Sequence, residues 1–513
     1  MEHLISTFKE DLKEFQKMTE KFYAGEINTK EYKGFSGGFG SYAQRGGTSS
    51  MLRLRLPGGQ VTKEKLKFVA DAVKEHHITK AHLTTCQTIQ LHDLKGSAVC
   101  EIMEKALDAG IITRGGGGDF PRNVMVSPLS GVEKGEYFDV LPYAIKVSDH
   151  LLGIIKTVKL PRKLKVGFSN SPANATHATF RDLGFAAKEN GRFDVYSAGG
   201  LGNNYRMGVL VAQDVEPSQV LFYVEAMVRT FTAYGNYESR ARSRTRYMQE
   251  TLGSDGYKKA YLEKLGEVMA EGNDLSISVD TTPVKKSGNG SSLSDSRAIC
   301  QKQEGLYAVA YHPIGGIVPV EKFSQLYELI KDMDEVQLRI APDETLYIIN
   351  LNGDEAEQVL KATNDGAKNL FETSVSCIGS SVCQIGLRDS QDLLKTIIEE
   401  VEPYHFADGV LPRIHISGCT SSCGTHQIGS LGFHGSVKRV DNTPIPAFTL
   451  HVGGCDLQGQ EHFGEEWGTM AAQDIPKFFT DLGQHISAKN MTYETWYAAY
   501  PQELRTLAEP YLK

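Results

Sequence analysis

The chain has 513 residues, 40% of them hydrophobic and 23% charged, a globular balance that excludes disorder and fibre; this length carries a prior of about two to four domains. With 55 Lys and Arg against 63 Asp and Glu, the net charge of −8 offers no generic attraction for nucleic acid. No apolar run reaches the roughly 18 residues of a membrane helix. The amphipathic start MEHLISTFKEDLKEF has neither the apolar stretch nor the cleavage site of a signal peptide, so no membrane partner and a cytoplasmic location are expected.

Residues 1–33 read as a helical arm, with Leu4, Phe8, Leu12, Phe15 and Met18 at helical spacing between charges. The Gly/Ser-rich FSGGFGSYAQRGGTSS reads as loop. MLRLRLPGG then alternates: Leu52, Leu54 and Leu56 share one strand face, Arg53 and Arg55 the other. After a helix in LKFVADAVKEHH, the pattern of HLTTCQTIQLH predicts a second strand. It would carry Leu83, Ile89 and Leu91 on one face and Cys86, Thr88, Gln90 and His92 on the other. Further on, LPRKLKVGFS predicts a strand with Lys163 and Lys165 on one face, and SQVLFYVEAMVRTF an amphipathic helix. YESRARSRTRY places Arg240 and Arg244, and Arg242 and Arg246, at i,i+4, which reads as a solvated helix face. PVKKSGNGSSLSDS is a linker by composition. From YAVAYHPIGGIVPVEKF to ETLYIINL the earlier order of strand, glycine turn, helix and strand returns, so the chain contains two copies of one half-domain. The second copy offers Tyr311 and His312 where the first has its Arg face. The first is therefore expected to bind an anion and the second to be mainly structural. The expected class is α/β or α+β with mixed sheets.

The strongest chemical signal is Cys377-x5-Cys383 followed, 35 residues on, by Cys419-x3-Cys423. Four thiolates suit a [4Fe–4S] cubane, one per iron. Zinc takes the same donors but favours shorter spacings, and four cysteines can also cluster by chance. Eight cysteines in a chain this long are free thiols, metal ligands or catalytic groups rather than a disulfide framework. A second signal is the set of cations on strand faces and beside glycine loops: Arg45, Arg53, Arg55, Arg122, Lys163 and Lys165. One such pair reads as a solvated edge; several together suggest a polyanion held by charge-assisted hydrogen bonds. The Gly115 to Gly118 run lets backbone pass close to a ligand, but without a helix start it is no dinucleotide fingerprint.

The series Tyr42-x-Gln44-Arg45, MLRLRLPGG, LTTCQTIQLH, GDFPRN, LPRKLK, C-x5-C and GCTSSCG through IGSLGFHG resembles the sirohaem-dependent nitrite/sulfite reductases, most closely their ferredoxin-dependent members. The resemblance runs over nearly the whole chain. It implies duplicated half-domains around a sirohaem and iron–sulfur domain: an arm and loop (1–45), first half-domain (46–112), first part of the sirohaem domain (113–304), second half-domain (305–371) and second part (372–513). It implies a [4Fe–4S] cluster held by Cys377, Cys383, Cys419 and Cys423, with Cys423 bridging to the sirohaem iron. Arg122, Lys163 and Lys165 take the places of the family's distal, catalytic cations. Arg45, Arg53, Arg55, Gln87, Gln90, His92 and Asn123 match motif positions near the macrocycle, and the arginines of YESRARSRTRY are further candidates for its carboxylates. The implied reaction is six-electron reduction of nitrite to ammonia, of sulfite to sulfide, or both, with electrons from ferredoxin or a similar small carrier.

Three departures stand out. The family's T-T-R-Q is TTCQ here, exchanging a distal Arg for Cys86. The family's GCPN-x-C is GCTSSC. Some relatives carry a cysteine before the Arg122 position that links to the motif tyrosine; Gly115 to Gly118 stand there, so no link to Tyr42 is expected. Because a cation is lost, a non-catalytic electron carrier or sensor on the same scaffold is the competing reading, and a zinc-stabilised structural protein is a third. His405, His415, His426 and His434 flank the cysteines, but four thiolates leave no need for them as ligands.

Overall fold

The alternation of leucine and arginine in MLRLR builds the strand Ser50–Arg55, whose Leu52 and Leu54, with Leu56 just beyond, are fully buried. Burial of each such side chain is worth about 1.5–3 kcal/mol. In this computed structural model, which describes residues 2–281 and 283–512, the chain divides into two compact units. The first comprises Met1–Gly200, Asn204–Tyr311 and Val318–Thr363; the second comprises Leu201–Asn203, His312–Ile317 and Asn364–Lys513.

The class is mixed α/β, and the duplication is visible strand by strand. In the first copy Ser50–Arg55, Thr88–Leu94 and Ala81–Leu83 lie side by side; in the second Tyr307–Tyr311, Leu346–Leu351 and Gln337–Ile340 do the same. Each copy lends its short strand to the other. Gln60–Val61 pairs with Gln337–Ile340, and Ile317–Val318 completes the first copy's sheet. The turns before these strands match, with Gly58 and Gly59 at φ 62° and 67° and Gly315 and Gly316 at 57° and 71°. Only glycine enters that region without strain, and a Cβ on Gly59 would also run into the Ile340 carbonyl. A third, mixed sheet orders Val209–Val215, Phe193–Ser197, Leu183–Ala187, Val166–Ser169 and Met125–Val126. It is covered by Leu141–Gly153, Val220–Tyr234 and Tyr247–Ala270, through Val147, Val224, Phe231 and Tyr261 among others. The second unit has one mixed sheet, Val375–Ser376, Ile414–Ser417, Leu431–Val440, Thr443–Val452 and Glu465–Ala471, backed by Ser390–Val401 and Ile475–Ser487.

Four local expectations are revised. The N-terminal arm is two helices, Glu2–Tyr23 and Thr29–Ser36, because Asn28 caps the second by accepting from Lys30 N and Glu31 N at 3.0 Å. The Gly/Ser-rich loop contains a strand, Ser41–Ala43, formed by pairing with Ser50–Arg55 across a turn closed by Gln44 N to Ser49 O at 2.8 Å. HLTTCQTIQLH is a hairpin rather than one strand. Gln87 stands at φ 56°, its N donates to Thr84 O at 2.8 Å, and the Thr84 and Thr88 hydroxyls meet at 2.7 Å. Local hydroxyl bonding there competes with a continued ladder, so Cys86 sits at a turn while Gln90 and His92 keep the strand face. Lys163 and Lys165 flank Leu164, which bridges to Pro121, ahead of the strand that begins at Val166.

Candidate active site

The first unit gathers cations around the glycine loop. Arg55 donates to Arg114 O at 2.7 Å and Arg122 O at 3.0 Å. Arg122 donates to Gly116 O at 3.0 Å and Gly118 O at 2.7 Å, and Arg53 also donates to Gly116 O. The Gln90 amide oxygen accepts from Arg53 Nε at 3.1 Å. Burial, reinforced by Arg122, pulls the Arg55 guanidinium down to about 9; burial likewise brings Arg122 to about 10. Both keep a buried Nε with no hydrogen-bond partner. Tyr42 Oη accepts from Gly118 N at 2.7 Å, and a side chain at Gly117 would collide with the Tyr42 ring, so this loop tolerates only glycine beside that phenol.

Other motif residues hold the loop backbone. Asn123 Nδ2 faces the carbonyls of Leu56, Cys86 and Gln87 at 2.9, 3.0 and 3.1 Å. Gln87 spans Val126 and Ile340, donating to their carbonyls at 2.8 and 2.7 Å and accepting from Val126 N at 2.8 Å. Gln44 clasps Asp93 in the same two-way fashion. His92 is buried, which pushes its pKa down to about 3 with help from His82, Lys80 and Arg53; it is neutral at physiological pH. Arg45 stands exposed on the turn between Ser41–Ala43 and Ser50–Arg55.

Cys86 faces Lys165. Burial raises the thiol's pKa, but Lys165 and Arg181, with Arg53 behind them, outweigh it and bring it to about 6. Burial lowers Lys165, and Cys86 opposes that. The Cys86 thiol and the Lys165 amine thus face each other with opposing pulls on their protonation. Arg181 and Asp182 had no sequence signal beyond their charge, whereas Arg244 was among the candidate arginines of YESRARSRTRY. Arg181 is anchored to Thr176 O at 2.5 Å; Asp182, fully buried, accepts from Arg244 at 3.0 and 3.1 Å and from Lys165 N at 2.9 Å. The arginines of YESRARSRTRY do not form a helix face, because Arg240–Arg242 is a single 3-10 turn and the helix begins at Tyr247. Arg240 and Arg242 pair at the surface with Asp119 and Glu250, whereas Arg244 and Arg246 turn inward.

The cysteines belong to the second unit. Cys377 follows the strand Val375–Ser376; its Sγ accepts from Gly418 N at 3.1 Å and meets Ser390 Oγ at 3.1 Å. Burial, then Cys423, pushes its thiol up to about 12, a sign that the two sulfurs feel each other. Cys423 lies between Ser422 and Thr425, both at φ 54°, in a turn closed by Thr425 N to Ser422 O at 3.3 Å. Gly424 is required beside it, since a Cβ there would enter the Ile416 carbonyl. None of the four is in a disulfide. Among the described residues no three of their sulfurs fall within 4.8 Å of one another. A single zinc ion, with Zn–S of ~2.3 Å, needs sulfurs about 3.8 Å apart, whereas a cubane takes one thiolate per iron and spaces them wider. Four thiolates in one unit suit a cluster that takes one per iron. The cation bed fits a carboxylate-fringed group: Arg53, Arg55, Arg122, Lys165, Arg181 and Arg244 share it with one buried carboxylate, Asp182. A polyanion relieves that imbalance.

Residues 117–269 match the family described as the nitrite and sulphite reductase 4Fe-4S domain, and residues 42–109 and 299–365 match the nitrite/sulfite reductase ferredoxin-like half domain. The chain is 24% identical to "Sulfite reductase [ferredoxin] 1" of Mycolicibacterium paratuberculosis, over 81% of this chain and 75% of that one. It is also 24% identical to "Ferredoxin--nitrite reductase" of Synechococcus elongatus, over 84% and 85%. Its fold resembles that of the Mycobacterium tuberculosis NirA protein, with a TM-score of 0.76 and 21% identity over 92% of each chain. No helix among the described residues is long and apolar enough to cross a membrane.

Proposed function

The chain belongs to the nitrite/sulfite reductase family, and from that premise we propose that it catalyses six-electron reduction of nitrite to ammonia, of sulfite to sulfide, or of both. Its cofactors are a [4Fe–4S] cluster and sirohaem. The observation that carries the reading is the cation bed: several enclosed cations, three of them (Arg55, Arg122 and Arg244) with a buried Nε that no hydrogen bond satisfies, around the buried carboxylate of Asp182. A bed of this kind suits an anionic substrate and an anionic cofactor, and a structural protein would gain nothing from its desolvation cost.

When bound, the sirohaem supplies the iron that takes the oxyanion, and the cluster supplies electrons singly. The chain does the rest. Cys377, Cys383, Cys419 and Cys423 would hold the cluster, and Cys423 would also help hold the sirohaem. Arg53 and Arg55 would face carboxylates of the macrocycle, supported by Gln90 and by the loop that Gln87 and Asn123 brace; Arg45 and His92 complete the candidate contacts. Arg122 spends two donors on Gly116 and Gly118. Those bonds fix the plane of its remaining donors for an oxygen of the anion. Lys163 and Lys165 would attract the anion and deliver protons to the oxygens that leave as water. Burial eases proton release from Lys165. A small carrier such as ferredoxin would donate the electrons, and the reaction would run in the cytoplasm. The proposed domain partition is 1–45, 46–112, 113–304, 305–371 and 372–513. Steady-state rates on the reconstituted enzyme, with nitrite and sulfite as substrates and reduced methyl viologen or ferredoxin as donor, test this directly. Absence of turnover with both anions at full iron and sirohaem content would leave the carrier or sensor reading standing.

A further inference from the structure

One set of donors in the second unit has no part in the chemistry above. His426 lies three residues beyond Cys423, His434 on Leu431–Val440 and His451 on the adjacent antiparallel strand Thr443–Val452. The register sets His434 opposite Thr449 and Gly432 opposite His451, so His434 and His451 are diagonal neighbours on one sheet face. The three rings form a near-equilateral triangle: centroids are 4.9 Å apart for His426 and His434, 4.8 Å for His426 and His451, and 5.0 Å for His434 and His451. They are tilted to one another by 38°, 50° and 49°, not stacked, and one ligating nitrogen from each lies within 4.8 Å of the other two. Three imidazoles on one tetrahedral ion at ~2.1 Å place their centroids about 5 Å apart.

The rings are also held as ligands are held. His426 Nδ1 shares a hydrogen bond with Ser417 Oγ at 3.0 Å, which fixes the ring and turns its other nitrogen away from Ser417. His434 Nδ1 and His451 Nε2 share a hydrogen bond at 2.8 Å, shorter than the ~3.4 Å between two nitrogens on one tetrahedral zinc, so an ion would replace it, and the Gly464 backbone interacts with the His451 ring. His426 and His451 are 1% and 2% exposed and His434 is partly exposed, so an ion has a way in. Burial favours the neutral rings that ligate metals. Glu466 stands opposite His451 on Glu465–Ala471, with its charge felt at His434.

We propose that His426, His434 and His451 form a second metal site that binds one zinc ion, its fourth position left to water or to Glu466. This ion would tie the segment after the cysteine loop to the two central strands. The inference stands apart from the reductase reading, because it rests on none of the cations or thiols.

The test uses the holoenzyme, stripped with a mild chelator, loaded with zinc alone and washed, with zinc and iron counted per chain. One zinc per chain is expected with iron unchanged, and zinc-edge absorption should show imidazole nitrogens at ~2.0 Å with no sulfur at ~2.3 Å. His434→Ala and His434→Gln should weaken retention at least ~100-fold, the upper figure for loss of a mere outer-shell partner, while iron content and the visible spectrum stay as in the parent. No zinc above the wash, a sulfur shell around it, or zinc retained equally by both variants would each overturn the proposal.

Discussion

The two half-domain copies share a backbone and differ in chemistry. Their hairpin turns match closely. Gln87, at φ 56°, donates its backbone N–H to Thr84 O at 2.8 Å, and Glu344, at φ 71°, donates its backbone N–H to Ala341 O at 3.1 Å. Even the exchange is reciprocal, since Gln87 reaches Ile340 of the second copy and Glu344 faces His82 of the first at 3.5 Å. Yet Arg53 lies opposite Gln90 where Ala310 lies opposite Tyr347, and the glycine turns set Arg55 in register with His312. The two copies thus share the backbone of the turn and the strand exchange even where the side chains differ. The outward strand face is free to diverge: the first copy sets Arg53 and Arg55 on it, whereas the second has Ala310 and Tyr347 with the buried Arg339 beside them.

The largest expected effect comes from outside both copies and sharpens the contrast. Cys423→Ser should abolish turnover, strip or uncouple the sirohaem and disturb the cluster, while circular dichroism shows the duplicated sheets intact. Wild-type spectra and turnover in this variant would refute the bridging role. Next, Arg55→Ala should lose most of the sirohaem and cost about 3 kcal/mol, since it leaves two carbonyls without their charged donor. His312→Ala, its counterpart, should keep sirohaem and turnover within about twofold on this reading. Equal losses in both, measured by haem absorbance and denaturant midpoint, would erase the distinction between the copies.

Lys165→Met should lower turnover about 100-fold with sirohaem content preserved, as expected for a proton donor rather than a cofactor anchor. A loss of turnover only in proportion to sirohaem would make it an anchor instead. Cys86 and Lys165 also set a pH window. The folded thiol titrates near 6, below the ordinary 9.0. Its contribution to stability is therefore complete above pH 9 and is lost as the pH falls through 6. Urea midpoints of the parent should rise across that window relative to Cys86→Ala; parallel curves would mean no thiolate forms. The smallest effect concerns substrate choice. Cys86→Arg adds a cation, whose Coulomb attraction is about twice as great for dianionic sulfite as for nitrite. It should raise kcat/KM for sulfite relative to nitrite by a few-fold, about 1 kcal/mol or less after screening. A parallel fall for both anions would show crowding instead.

Periodicity and spacing were enough to locate the arginine strand, the repeated half-domain and the four thiols, because those signals are local: a side chain's face follows from its position along one strand or motif. Resemblance supplied the candidate distal cations, Arg122, Lys163 and Lys165, as an expectation. Pairing between distant segments decided the rest. TTCQ reads as a strand until Gln87 turns left-handed and places Cys86 at the tip facing Lys165. Arg181 and Asp182 are anonymous charges until Arg244, some sixty positions on, closes on them. The histidine triangle is invisible in a list of positions 426, 434 and 451, and becomes a set of donors only when two strands pair in one register. Sequence alone determines which groups a segment can present; which of them meet depends on turns and strand register, and those are settled by burial and backbone hydrogen bonding of the whole unit.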